Sequence, residues 1–178
     1  ARHVAPAPDP IAARILHPGL GEVFDRLAPL AARTSALSWA LRLGSLGLVD
    51  HVALRTAAID AAVREGLARG IPQVVLLGAG LDARAYRMPE LAGRVVFEVD
   101  HPATQRFKRG RVEGLEVFAE ELRFVSVDFT RQDLAARLGE EGHDADRPTF
   151  WIWEGVVPYL PEAATRATRL MQDNANLV

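Results

Sequence analysis

Four short apolar runs, each closing on a glycine or an acid, constrain this chain more than any other feature. The first is Gln73-Val74-Val75-Leu76-Leu77, followed by Gly78, and the second is Val95-Val96-Phe97-Glu98-Val99, ending in Asp100. Arg123-Phe124-Val125-Ser126-Val127 ends in Asp128, and Phe150-Trp151-Ile152-Trp153 ends in Glu154. Continuous apolar runs of this length suit strands buried on both faces. Helical stretches over about 83–91, 102–113 and 131–139 separate them. Strand alternating with helix predicts a parallel sheet with crossover helices. In open sheets of this kind ligands bind outside the carboxyl ends of the strands. Gly78, Gly80, Asp82, Asp100, Asp128 and Glu154 are therefore expected along one rim. An acid after a strand also serves to cap the next helix, but four strands in a row ending this way favour a shared ligand site.

Upstream of the first run the pattern is different. Pro6, Pro8 and Pro10 mark residues 1–10 as a loose arm. Residues 11–54 read as helical but broken, because Pro18-Gly19, Pro29, Gly44 and Gly47 punctuate short apolar segments. A clean helix occupies 55–69, with Ile59, Val63 and Leu67 at every fourth position and Ala62 beside them. Gly70 and Pro72 end it.

Composition excludes several classes of function. A chain of 178 residues with 49% hydrophobic and 25% charged content reads as one globular domain. The net charge of -2 and the lack of a basic block give no support to nucleic-acid binding, which depends on phosphate neutralisation. Absence of cysteine excludes disulfides, zinc-thiolate sites and cysteine nucleophiles, and with them any reason to expect an oxidising compartment. The longest apolar stretch, 36–49, carries Arg42 and is shorter than the roughly 20 residues a bilayer requires. No signal peptide is visible, so a cytoplasmic location without membrane contact is expected. The five histidines show no metal-site spacing.

The segment Gly78-Ala79-Gly80-Leu81-Asp82 is the strongest local signal. Its glycines permit a tight turn and close approach of a ligand to the backbone. The helix after it offers free N–H groups and a positive dipole end. Gly78, Gly80 and Ala83, with Asp100 about 20 residues on, also fit a dinucleotide fingerprint, so an NAD(P)-dependent oxidoreductase is one reading. Against it, Asp82 places negative charge where a pyrophosphate would sit, and Asp128 and Glu154 have no role in that fingerprint. Asp100 suits a ribose, since a carboxylate accepts from both the 2′ and 3′ hydroxyls. Asp128 is placed either to accept from an adenine amino group or to cap the segment near Gln132.

Taken together, these strings resemble the leucine carboxyl methyltransferase family. Gln73 to Arg87 is similar to its first glycine motif, and Phe97-Glu98-Val99-Asp100-His101-Pro102-Ala103-Thr104-Gln105 with Lys108 to its second. Val127-Asp128-Phe129 resembles the third, and Glu154-Gly155-Val156 with Tyr159-Leu160 the fourth. Arg55-Thr56 with Ile59-Asp60 resembles the helix that precedes them. The likeness spans about residues 51–165. It implies a Rossmann-like, doubly wound, mostly parallel α/β sheet with an N-terminal helical cap. The domain reading is then 1–54 as arm and cap, and 55–178 as the cofactor-binding domain. The family's sheet has seven strands, so the C-terminal strands of the full fold are expected to be missing from this chain.

The resemblance also implies a cofactor, S-adenosyl-L-methionine, with S-adenosyl-L-homocysteine as product. By position, Arg55 binds the cofactor carboxylate, and Gly78, Ala79, Gly80 and Asp82 lie in the motif lining the methionine portion. Asp100 holds the ribose, Asp128 and Phe129 flank the adenine, and Glu154 meets the amino end. Pairing a cationic amine and sulfonium with carboxylates agrees with simple charge complementarity.

The expected reaction is O-methylation of a carboxylate or hydroxyl on a small molecule such as a polyketide, given the apolar residues 36–49. A protein C-terminal carboxylate is the alternative acceptor, and a non-catalytic binding domain is a further reading. A carboxylate is already ionised at neutral pH and needs no base. For a hydroxyl, Tyr159, His17 and His51 are the candidate bases or acceptor contacts. His101 is expected to be structural, and His3 and His143 to lie in exposed loops. Trp151 and Trp153 read as core, and Phe24 and Trp39 as helix packing.

Overall fold

The computed structural model describes residues 48–155, together with Glu162, Thr165 and Arg166. The chain divides into two compact units, Ala1–Ala62 and Val63–Val178. His3, His17, Phe24, Trp39 and Tyr159 lie outside the described residues. The first described element, helix α1, spans Leu48–Ala68 and crosses the division. Gly70, at φ 84°, ends the chain's helical path where a side chain would be disfavoured. Val63 and Leu67 are buried as their spacing requires, whereas Ala62 faces outward.

In the second unit, β1 (Gln73–Leu77), β2 (Val95–Asp100), β3 (Glu121–Ser126) and β4 (Thr149–Trp153) form one sheet. Their order is β3-β2-β1-β4, and every pairing is parallel. The chain winds outward from β1 to β3, then returns to the other side of β1. This Rossmann-like α/β arrangement puts a switch point between β1 and β4. β1 is buried throughout. Its odd positions, Val75 and Leu77, join Phe97, Val99, Val125 and Val127 on one face. Leu134 and Leu138 of helix α4 (Leu134–Glu140) cover that face, and Trp151 and Trp153 pack against it.

Helix α1 starts at Leu48 rather than 55, and β3 runs Glu121–Ser126 rather than 123–127. Local chemistry explains the departures in the helices after β1 and β3. The helix expected over 83–91 is instead α2 (Arg84–Arg87) and a 3₁₀ turn, Pro89–Leu91. Met88 between them is extended, at ψ 98°, because the residue before a proline avoids the helical region. Helix α3 (Pro102–Val112) is close to its expected span, with Pro102 in the first turn and His101 as its cap. The helix expected from 131 starts only at Leu134. Asp128 first makes a turn of its own, accepting from the Thr130 amide at 3.0 Å and the Thr130 hydroxyl at 2.6 Å. Asp133 then caps α4, accepting from the Ala136 amide at 2.9 Å.

His143 is not an exposed loop residue. It sits half-buried, edge-on to Phe97 and Trp151 with ring centroids 5.4 and 5.6 Å away. Its Nε2 lies 3.1 Å from the Thr149 hydroxyl, and burial lowers its pKa below the usual histidine value. Thr149 opens β4, so this contact belongs to the amino end of the sheet. Gln73 secures the same end: its side-chain amide donates to the Asp144 carbonyl at 2.8 Å and accepts from the Asp144 amide at 2.9 Å. No helix among the described residues is long and apolar enough to cross a membrane.

Helix α1 reaches the sheet closely at Gly66, where an added Cβ would lie 2.5 Å from Cδ2 of Phe150. Overpacking costs about 1–3 kcal/mol, against about 1 kcal/mol gained in helix propensity. Gly66→Ala is therefore expected to lower the urea midpoint without changing the slope, where an ordinary exposed helical glycine would raise it.

Candidate functional site

Strand register assembles the carboxyl rim. Leu77 lies opposite Val99 and Trp153, and Asp100 lies opposite Ser126. Gly78, Asp100 and Glu154 therefore come level at adjacent strand ends, with Asp128 just past the end of β3. The rim residues expected from the sequence do share one edge of the sheet. Arg55 and His51 are exposed residues of α1 and belong to the first unit.

At the centre is the turn after β1. Gly78 and Gly80 adopt φ of 63° and 47°, the left-handed region that disfavours any Cβ. The Ala79 amide donates to the Val99 carbonyl at 3.0 Å, and the Asp82 amide closes the turn on the Ala79 carbonyl at 2.7 Å. Asp100 clamps it from β2: its Oδ2 accepts from the Gly80 amide at 2.6 Å, while Oδ1 accepts from the His101 amide at 2.6 Å. Each carboxylate oxygen has two acceptor positions, so both can still receive a hydroxyl from a ligand. A Cβ built on Gly80 meets only the Gly78 carbonyl, 3.7 Å away, so among the described residues there is room beside Gly80 itself.

Asp82 points back into the protein. Its Oδ1 accepts from the Arg84 amide at 2.8 Å, and Oδ2 pairs with the Arg84 guanidinium. Arg84 also reaches Glu154 Oε2 at 3.1 Å, joining the ends of β1 and β4 across the switch point. The Arg84 side chain is 3% exposed, so it is a buried cation shared by two partly exposed acids. The carboxylate of Asp82 thus occupies the N-terminal amide of α2, the place a pyrophosphate would use in a dinucleotide site.

Asp128 is half-buried at the end of β3, and Phe129 packs against the core beneath it. Hydrogen bonds from Thr130 hold the Asp128 carboxyl below its ordinary range, so it is ionised at neutral pH. His101 is engaged as the α3 cap, its Nδ1 accepting from the Ala103 amide at 3.3 Å. Among the described residues, no group of three histidine or acidic side chains is arranged to hold a metal ion.

Sequence reasoning gave no role to Arg84, Glu98, Gln105 or Lys108. Glu98 is fully buried on β2, with its Oε2 2.6 Å from Lys108 Nζ. Lys108 also donates to the Asp82 carbonyl at 2.6 Å. Gln105 donates to the carbonyls of Glu98 and Val125 at 2.7 and 2.8 Å, and accepts from the Ser126 hydroxyl at 2.6 Å. One signal was available: an acid inside an otherwise apolar run must be paired if it is buried. Gln105 and Lys108, three apart on the next helix, share the face that meets it.

A family profile described as leucine carboxyl methyltransferase matches residues 2–171. The chain belongs to this family. A Mycobacterium ulcerans relative named "Putative S-adenosyl-L-methionine-dependent methyltransferase" is 51% identical over 89 residues, covering 49% of this chain and 28% of the relative. Relatives with the same name from Mycobacteroides abscessus and Mycobacterium marinum are 49% identical over 90 residues and 48% identical over 89. Those matches cover 49% of this chain in both cases, and 29% and 28% of the relatives. The matched stretch thus covers under a third of the length of these relatives.

Burial has a measurable consequence at Glu98. Its carboxyl is pushed up from 4.5 to about 7, chiefly by desolvation and further by Asp82 and Asp100, with Lys108 opposing. The folded state therefore keeps a proton that the unfolded chain releases, and stability declines as pH rises from about 4.5 to about 7. Urea midpoints at about pH 5 and about pH 8 should differ more for the wild type than for Glu98→Gln.

Proposed function

We propose that this chain forms the cofactor-binding region of an S-adenosyl-L-methionine-dependent methyltransferase. The observation that carries the reading is the contact between Asp100 and the glycine turn. One carboxylate both fixes the Gly80 amide and keeps acceptor positions for a pair of ribose hydroxyls. Membership of the family and the names of its relatives point to the same cofactor. The acidic rim of Asp82, Asp100, Asp128 and Glu154 favours a ligand bearing an amine and a sulfonium over one bearing a pyrophosphate. An oxidoreductase role loses support because Asp82 itself occupies the α2 amide.

When bound, the cofactor supplies a methyl group already activated by the sulfonium charge. The chain's own residues then bind and orient. Gly78 and Gly80 admit the methionine portion, Asp100 takes the ribose, Asp128 and Phe129 flank the adenine, and Glu154, steadied by Arg84, faces the amino end. Alignment of donor and acceptor is worth roughly 7–11 kcal/mol of barrier. We assign O-methylation, with a carboxylate as the preferred acceptor, since the family takes its description from a carboxyl. An ionised carboxylate requires no general base.

Calorimetric titration with S-adenosyl-L-homocysteine, with NADH in parallel, tests the cofactor class. Binding of the first and not the second is expected. Asp100→Ala should weaken that binding by about 100-fold, about 2.7 kcal/mol, by removing a charged acceptor and loosening the turn. Binding of NADH alone would replace the reading with an oxidoreductase.

A further inference from the structure

We propose that Lys108, held by Glu98, is a positioning residue that fixes the glycine turn in its ligand-binding shape. The inference rests on the cofactor reading, but on different contacts. Glu98 and Asp100 are two apart on β2 and so face the same side of the sheet. Both serve the turn after β1. Asp100 does so directly, through the Gly80 amide. Glu98 acts through Lys108, whose ammonium lies 2.6 Å from its carboxylate and donates to the Asp82 carbonyl at 2.6 Å.

With that bond every polar atom of Asp82 is committed. Its amide donates to Ala79, its carbonyl accepts from Lys108, and its carboxylate holds Arg84. Both side chains of the ion pair are 1% exposed. Among the described residues neither Glu98 oxygen has a hydrogen-bond partner, so the ammonium meets Oε2 as a charge pair. A buried pair of this kind is a poor device for stability alone, since apolar replacements of similar volume are often neutral or stabilising. Its geometry instead points outward: the backbone carbonyl that the ammonium reaches belongs to the turn. The neighbouring charges are Asp82 and Asp100, and the Tyr86 ring lies 5.9 Å from the ammonium.

The test is the double variant Glu98→Leu/Lys108→Met on the full chain, which removes both charges and keeps an apolar filling. Thermal stability near that of the wild type is expected, with S-adenosyl-L-homocysteine binding weakened about tenfold or more and amide exchange accelerated at Gly80 to Asp82 but not in the strands. Wild-type affinity and unchanged exchange in the turn would overturn the proposal. If the double variant does not fold, Glu98→Gln carries the test at about pH 8, where the wild-type Glu98 is ionised: it preserves shape and removes the charge that holds Lys108. An affinity loss of about threefold or more with faster exchange at the same amides is expected, and no change in either overturns the proposal. If the wild type binds no S-adenosyl-L-homocysteine, the cofactor reading fails, and exchange at Gly80 to Asp82 alone decides whether Lys108 sets the turn.

Discussion

Parallel strands in register are the constraint that creates the rim. In a parallel sheet all carboxyl ends leave on the same side, so groups that lie far apart in the chain meet without any loop having to bring them there. Here Leu77, Val99, Val125 and Trp153 lie at linked positions. The residues next in the chain after each of them are fixed in space as firmly as the sheet itself. The turn after β1 is central because β1 has a partner on each side, and because the winding reverses beside it.

The acids on that rim are not equivalent. All four keep part of their surface in solvent, but Asp82 and Glu154 share a buried guanidinium, whereas Asp128 lies 3.6 Å from the exposed Arg131 guanidinium. Part of the negative charge is therefore neutralised internally, and part faces outward. A ligand arriving at the rim meets directed acceptors at β2 and β3 and a braced pair of carboxylates at the switch point.

Much of this was legible in the sequence because strand burial and strand ends are written in single residues. Val74 to Leu77 could only be a buried strand, and the acids and glycines beyond each run marked the rim. Boundaries set by competing local hydrogen bonds were harder to read. Asp128 reads first as a ligand contact and second as a helix cap, and the structure gives its carboxylate to Thr130 and the helix cap to Asp133. His143 is a loop residue as expected but reads as exposed only because its partners, Phe97 and Trp151, come from two strands. Arg84 and Lys108 were missed for a related reason. Charged residues on helices are usually solvated, and only the three-dimensional arrangement shows that these two turn inward.

The ionic layer under the glycine turn also gives this part of the molecule its own temperature dependence. Hydration of charged groups becomes less favourable as temperature rises, so the penalty for burying Glu98 and Lys108 shrinks on heating, whereas the gain per unit of apolar surface plateaus. The sheet's aliphatic face and the layer beneath the turn thus respond differently to warming. Relative to its surroundings, the ammonium's grip on the Asp82 carbonyl is least costly when the protein is warm.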